Sequence, residues 1–116
     1  MSKRIANAEL NRAKNQFLNQ LSLIVDRLNG FHTQKEIAAV CGVSATTISK
    51  IKNDKKDQVT LQALMEVAKR LGLIFEVSFR GDGDSIKVRV HVEAAFEYQT
   101  RIRGHEAKII PGLRLH

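Results

Sequence analysis

The sequence predicts a mainly α fold followed by a C-terminal two-stranded β-hairpin. Three observations carry this: helical apolar spacing runs through residues 6–72, the period switches to two after Gly72, and an Asp-Gly pair lies between the two alternating runs. At 116 residues the chain is long enough for one domain with a modest core. The expected organisation is a helical unit over 1–72, a hairpin over 73–93 and a tail over 94–116.

The elements follow in order. From about Ala6 to Leu28, Leu10, Phe17, Leu21, Ile24 and Leu28 recur at the spacing of one helical face. The first half of this long helix also carries Arg12 and Lys14, with Lys3 and Arg4 ahead of it. These basic side chains either touch phosphate or solvate an exposed helix. Gly30 is a helix stop, and Thr33-Gln34-Lys35-Glu36 has the capping-box form for a second helix over Gln34 to Cys41. Gly42 suits a positive φ at a helix end, and Ser44 is an N-cap for a third helix over about Ala45 to Asn53. A polar loop, 53–58, leads to Thr60, which caps a fourth helix whose Leu61, Leu64, Ala68 and Leu71 share a face before Gly72 ends it.

Two strands are read over Leu73 to Arg80 and Ser85 to Val92, with Asp82-Gly83 as a two-residue turn. That turn pairs Leu73 with Val92, Phe75 with Val90, Val77 with Val88 and Phe79 with Ile86 on one apolar face, and Glu76 with Arg89 on the other. An isolated hairpin is marginal in water, so this face needs a cover. Either the chain's own helices supply it, or a symmetry-related hairpin does; the second reading is favoured and makes Phe75, Val77, Phe79, Val88 and Val90 a homodimer interface. The acidic stretch 81–84 offers too few ligands for a calcium loop. The tail has apolar residues without clear period, so composition argues against full disorder and assigns no role.

The charge balance narrows the function. Nineteen Lys and Arg against 12 Asp and Glu leave a net +7. Residues 1–72 hold 12 basic and 6 acidic side chains, and residues 73–116 hold 7 and 6. A basic surplus concentrated on the helices fits a polyanionic partner. Five Phe, one Tyr and no Trp leave little surface for stacking on single strands. Cys41 is alone, and the four histidines lack metal-ligand spacing, so neither a metal nor a cofactor is expected. Cys41 falls in the core of the 33–53 segment and not at an accessible electropositive site, and the histidines have no evident nucleophile or carboxylate companion, which argues against an enzyme. The N-terminus lacks the apolar run of a signal peptide or membrane span, so the expected setting is the cytoplasm, on nucleoid DNA, with no membrane partner.

The function-bearing constellation is residues 33–53. Ile37, Ala38, Cys41, Val43, Ile48 and Ile51 have the spacing of a core shared by two helices at a steep angle, with Gly42 at the bend. The opposite face of the third helix keeps Ala45, Thr46, Ser49, Lys50 and Lys52, which are small or can form hydrogen bonds, as a helix entering the DNA major groove requires. Lysine can donate to guanine O6 and N7, and the methyls of Ala or Thr suit a thymine methyl.

Over residues 17–72 the sequence resembles the Xre family of helix-turn-helix regulators, which includes the phage Cro and CI repressors. The resemblance rests on Gln34, Ile37, Ala38, Gly42, Val43, Ser44, Ile48, Ser49, Ile51 and Asn53. It implies a four- to five-helix lambda-repressor-like DNA-binding domain and a dimeric transcriptional regulator, a repressor or autoregulator, reading a palindromic operator in double-stranded DNA. By the same resemblance Ala45, Thr46 and Lys50 face bases, Gln34 holds a phosphate and braces the third helix, and Asn53 with Lys55 contacts the backbone. Beside these, Ser49 is expected at the bases and Thr33, Ser44 and Lys52 at the backbone. Lys52 and the long first helix depart from the family pattern. The alternative function is an antitoxin whose residues 94–116 bind a toxin partner while residues 33–53 repress the shared promoter.

Overall fold

A computed structural model of the chain describes residues 7–94. Expectations for Lys3, Arg4, Ala6 and the tail beyond Ala94, including toxin binding, lie outside the described residues. In chain order come α1 (Asn7–Leu28), α2 (Gln34–Cys41), α3 (Ala45–Lys52), a 3-10 turn (Lys56–Gln58), α4 (Leu61–Arg70), β1 (Ile74–Asp82) and β2 (Ser85–Glu93). The fold is mainly helical with a C-terminal two-stranded antiparallel hairpin.

The buried side of α1 is wider than the expected stripe. Ala13, Phe17, Leu18, Leu21, Val25 and Leu28 are buried, whereas Leu10 is 41% exposed and Ile24 packs at the margin. The cause is that α1 meets α3, α4 and β2 at once, and one narrow stripe cannot serve all three. α4 buries Leu64, Val67 and Ala68, with Leu71 buried just beyond it and Leu61 half-buried. Gly72 at φ +74° lets the chain leave α4, and the Leu73 amide donates back to Ala68 O at 3.0 Å.

The hairpin register differs from expectation by two residues. Phe75 stands opposite Val92, Val77 opposite Val90, Phe79 opposite Val88, Gly81 opposite Ile86, and Glu76 opposite His91. The turn residues are therefore Gly83-Asp84, not Asp82-Gly83. Gly83 has φ +67° and Asp84 does not enter the positive region, the φ signs of a type II′ turn with glycine first. A turn on Asp82-Gly83 of type I′ would place Asp82 at positive φ as well, a conformation it does not take. Ser85 Oγ donates to Asp82 O at 3.1 Å and closes the turn. A shift of two keeps every side chain on its face.

The apolar face of the hairpin lies on the chain's own helices. Leu73, Val90 and Val92 are buried in the same core as Phe17, and Phe75, Val77, Phe79 and Val88 pack against it half-buried. The rings of Phe17 and Phe75 meet edge to face, with centroids 5.6 Å apart and planes at 67°. Gln20 then binds the outer edge of β2 through both ends of its amide. Its Nε2 donates to Val90 O at 2.9 Å, and its Oε1 accepts from Val92 N at 2.7 Å. Arg12 Nη2 donates to Ile86 O farther along the same edge, at 3.2 Å.

Candidate nucleic-acid interface

Each helix of the α2–α3 pair starts on a side-chain cap. Thr33 Oγ1 accepts from Glu36 N at 3.1 Å while Thr33 N donates to Glu36 Oε1 at 2.9 Å, completing the capping box. Gly42, at φ +70°, turns the chain, and the Val43 amide donates to Ala38 O at 3.1 Å. That is the hydrogen bond of a Schellman motif, and only glycine takes this φ without strain. Ser44 Oγ accepts from Thr47 N at 3.2 Å and lies 3.1 Å from Thr47 Oγ1. Between the helices Ile37, Ala38, Cys41, Ile48 and Ile51 are buried, and Val43 packs at their margin.

That packing decides what α3 shows to solvent. Ala45 and Thr46 are exposed, Ser49 and Lys50 are half-buried, and α3 contains no acidic residue. The structure brings these four expected base-facing residues onto the outside of α3. Thr33 and Ser44 are exposed at the two helix starts and Gln34 is half-buried in the first turn of α2. The hydroxyls of Thr33 and Ser44 are already acceptors for backbone amides, so their remaining capacity is as donors. Asn53 is exposed at the end of α3, and its Nδ2 donates to Ser49 Oγ at 3.3 Å, which orients that hydroxyl.

The end of α3 is held by residues that sequence reasoning did not single out. Asp54 takes φ +58°, a left-handed conformation an aspartate tolerates better than most residues, and the Lys55 amide donates to Lys50 O at 2.9 Å. Lys56 Nζ binds the Asp54 carboxylate at 2.9 Å. With its amide nitrogen turned to that carboxylate, Asn19 donates to it at 3.1 and 3.2 Å. Ser22 Oγ donates to Lys52 O at 3.0 Å. Lys52 Nζ donates to Asn29 Oδ1 at 2.9 Å, so this expected phosphate ligand is engaged within the molecule. Lys55 is exposed and makes no ion pair among the described residues. Nothing in the local pattern marks Asn19, Ser22 or Asn29, because their partners lie across the fold.

Two buried titratable groups lie behind the interface. Burial pushes the Cys41 thiol up to about 12, against a smaller opposing pull from the Arg70 guanidinium, so this thiol stays protonated in the core. His32 is buried just before α2, and burial lowers its pKa against the opposing pull of Glu36. Among the described residues its Nε2 has no hydrogen-bond partner, and its Nδ1 lies 3.8 Å from Glu36 Oε1. Among the described residues no group of three or more His, Cys, Asp or Glu is placed to hold a metal. Among them, too, no helix is long and apolar enough to cross a membrane.

Residues 4–80 match the model of a family described as "Helix-turn-helix domain". The match runs past α4 and takes in most of β1. No curated protein and no solved structure matches the chain.

Proposed function

Because the chain belongs to the helix-turn-helix domain family, we propose that it is a sequence-specific regulator that reads double-stranded DNA through the major groove with α3. One observation carries the reading. α3 is fixed at both ends by caps, buries Ile48 and Ile51, and turns Ala45, Thr46, Ser49 and Lys50 outward with no carboxylate among them. A major groove is wide enough for such a helix, and side chains of these sizes let it approach base edges.

The roles follow from chemistry. Lys50 donates to guanine, Ala45 and Thr46 meet thymine methyls, and Ser49, oriented by Asn53, takes either partner of a base pair. Lys55, Gln34 and the hydroxyls of Thr33 and Ser44 hold phosphates beside the groove, and Asn53 joins them. Lys52 joins only by exchanging its bond to Asn29. In this reading the protein is a dimeric repressor or autoregulator on a palindromic operator. It works in the cytoplasm with no catalytic step and no cofactor, and two half-sites supply the affinity that one helix lacks.

The test is selection of bound duplexes from a random library by purified protein at physiological salt. A two-fold symmetric motif with half-sites one helical turn apart supports the full reading, and a single enriched half-site supports base reading by a monomer. Recovery of unenriched DNA removes α3 as a reader. On a selected duplex, Lys50→Ala should lose about 1–3 kcal/mol at one base position, whereas Lys55→Ala should weaken all duplexes alike and flatten the salt slope.

A further inference from the structure

We propose that the open edge of β1 binds the same edge of a second copy of this chain, antiparallel and centred on Ser78, joining two hairpins into one four-stranded sheet. This rests on the dimeric reading above and gives it a surface.

The two edges of the hairpin are unlike. On β2, Gln20 binds Val90 O and Val92 N, and Arg12 binds Ile86 O, so the main-chain groups of these residues point away from β1. Hydrogen-bonded and non-hydrogen-bonded pairs alternate along an antiparallel ladder. Their partners and the pair between them, Phe75, Val77, Phe79 and Gly81, must therefore turn their own N–H and C=O away from β2, onto the far edge. Among the described residues nothing bonds to those groups. A bare strand edge of this length is a template for pairing.

Charge selects the occupant and the register. The outer face of β1 carries Glu76, Ser78 and Arg80, and within the hairpin Arg80 faces Lys87, a like-charge pair. Antiparallel pairing centred on Ser78 sets Glu76 against Arg80 of the second copy, twice by symmetry. It also sets Val77 against Phe79 on the apolar face. Centring on Val77 loses both ion pairs, and centring on Phe79 sets Glu76 against Asp82. The groove floored by Leu61, Met65 and Phe75 continues the apolar face beyond this edge, where the incoming Val77 and Phe79 need cover.

The full-length chain tests this directly. In the proposed register Ser78 meets its own copy at a non-hydrogen-bonded position, with Cα atoms about 4.5 Å apart, within disulfide reach. Mild oxidation of the Ser78→Cys variant should give a covalent dimer, while Arg89→Cys, on the same face of β2, should not; Cys41 is buried and does not compete. In sedimentation equilibrium at low salt, Glu76→Arg and Arg80→Glu should each raise the dimer Kd by ~tenfold, and the two together should restore it. Both side chains are exposed, so folding is not at stake. A wild-type chain that stays monomeric, a Ser78→Cys variant that does not cross-link, or a dimer indifferent to both reversals overturns the proposal. Protection of the β1 edge amides in a monomer overturns it too, by assigning the edge to another segment of the chain. A monomer that still enriches a single half-site sinks the interface alone, and a cross-linking dimer that enriches no DNA sinks the reader alone.

Discussion

The α2–α3 pair and the hairpin each turn on one glycine at positive φ, Gly42 and Gly83, yet they are held in different ways. The helix pair is closed by short-range bonds: Thr33 with Glu36, Ser44 with Thr47, Val43 with Ala38. Its two helices bury their inner side chains against each other, with α3 also packed on α1 and α2 on α4. The hairpin has only its ladder and its turn within itself, and depends on α1 for its face and one edge. Its other edge has no support among the described residues. The difference teaches that the starts of α2 and α3 and the turn between them are set by residues within five positions, whereas the hairpin is held by Gln20, 70 and 72 positions away in the chain from the groups it binds.

The largest effect should come from Phe17→Ala, since the fully buried ring touches both the helical core and Phe75. Urea unfolding should show a loss of about 3–5 kcal/mol; a loss below ~1 kcal/mol would mean the hairpin does not depend on that contact. Gln20→Ala sharpens the contrast. It should cost about 1–2 kcal/mol, with hydrogen exchange accelerated in β2 and unchanged in α2 and α3. Equal acceleration everywhere would make the two regions one cooperative unit.

Ser44→Ala attacks the other side. Loss of the cap should cost about 1 kcal/mol and fray the first turn of α3, leaving β2 exchange as in the wild type. The smallest effect concerns His32, which burial holds below its ordinary pKa. The unfolded chain takes up the proton first as pH falls below about 6.5, so this group favours folding above that pH and opposes it progressively below. The Tm should therefore drop between pH 7 and pH 5 more in the wild type than in His32→Gln, and parallel pH curves would refute the linkage.

The helix pair was legible because its signals are local. Thr33, Glu36, Gly42 and Ser44 each act within five residues, so the expected limits of α2 and the start of α3 coincide with those found. The hairpin was legible in its face and not in its partners: alternation fixes which side chains point inward, but a two-residue shift preserves alternation, and only the φ signs at the turn separate the two registers. The stripe on α1 was read too narrow for a related reason. Phe17, Leu21 and Leu28 are buried as expected, and Ala13, Leu18 and Val25 join them because α3, α4 and β2 all pack on α1, which helical periodicity alone does not reveal. At the candidate interface the outward residues of α3 could be read, while Asn19, Ser22 and Asn29, which steady its far end, gave no sign.

One consequence of α1 concerns mechanics. Gln20, which grips β2, and Ser22, which grips the last residue of α3, stand two positions apart on a helix that contains neither glycine nor proline. Such a helix lacks the usual sites of a kink, so α1 is a shaft with α3 keyed to one side and the hairpin to another. Inserting a single residue between the two grips would swing one against the other by about 100°. Whatever docks on the hairpin thus meets α3 at one azimuth, fixed before any DNA arrives.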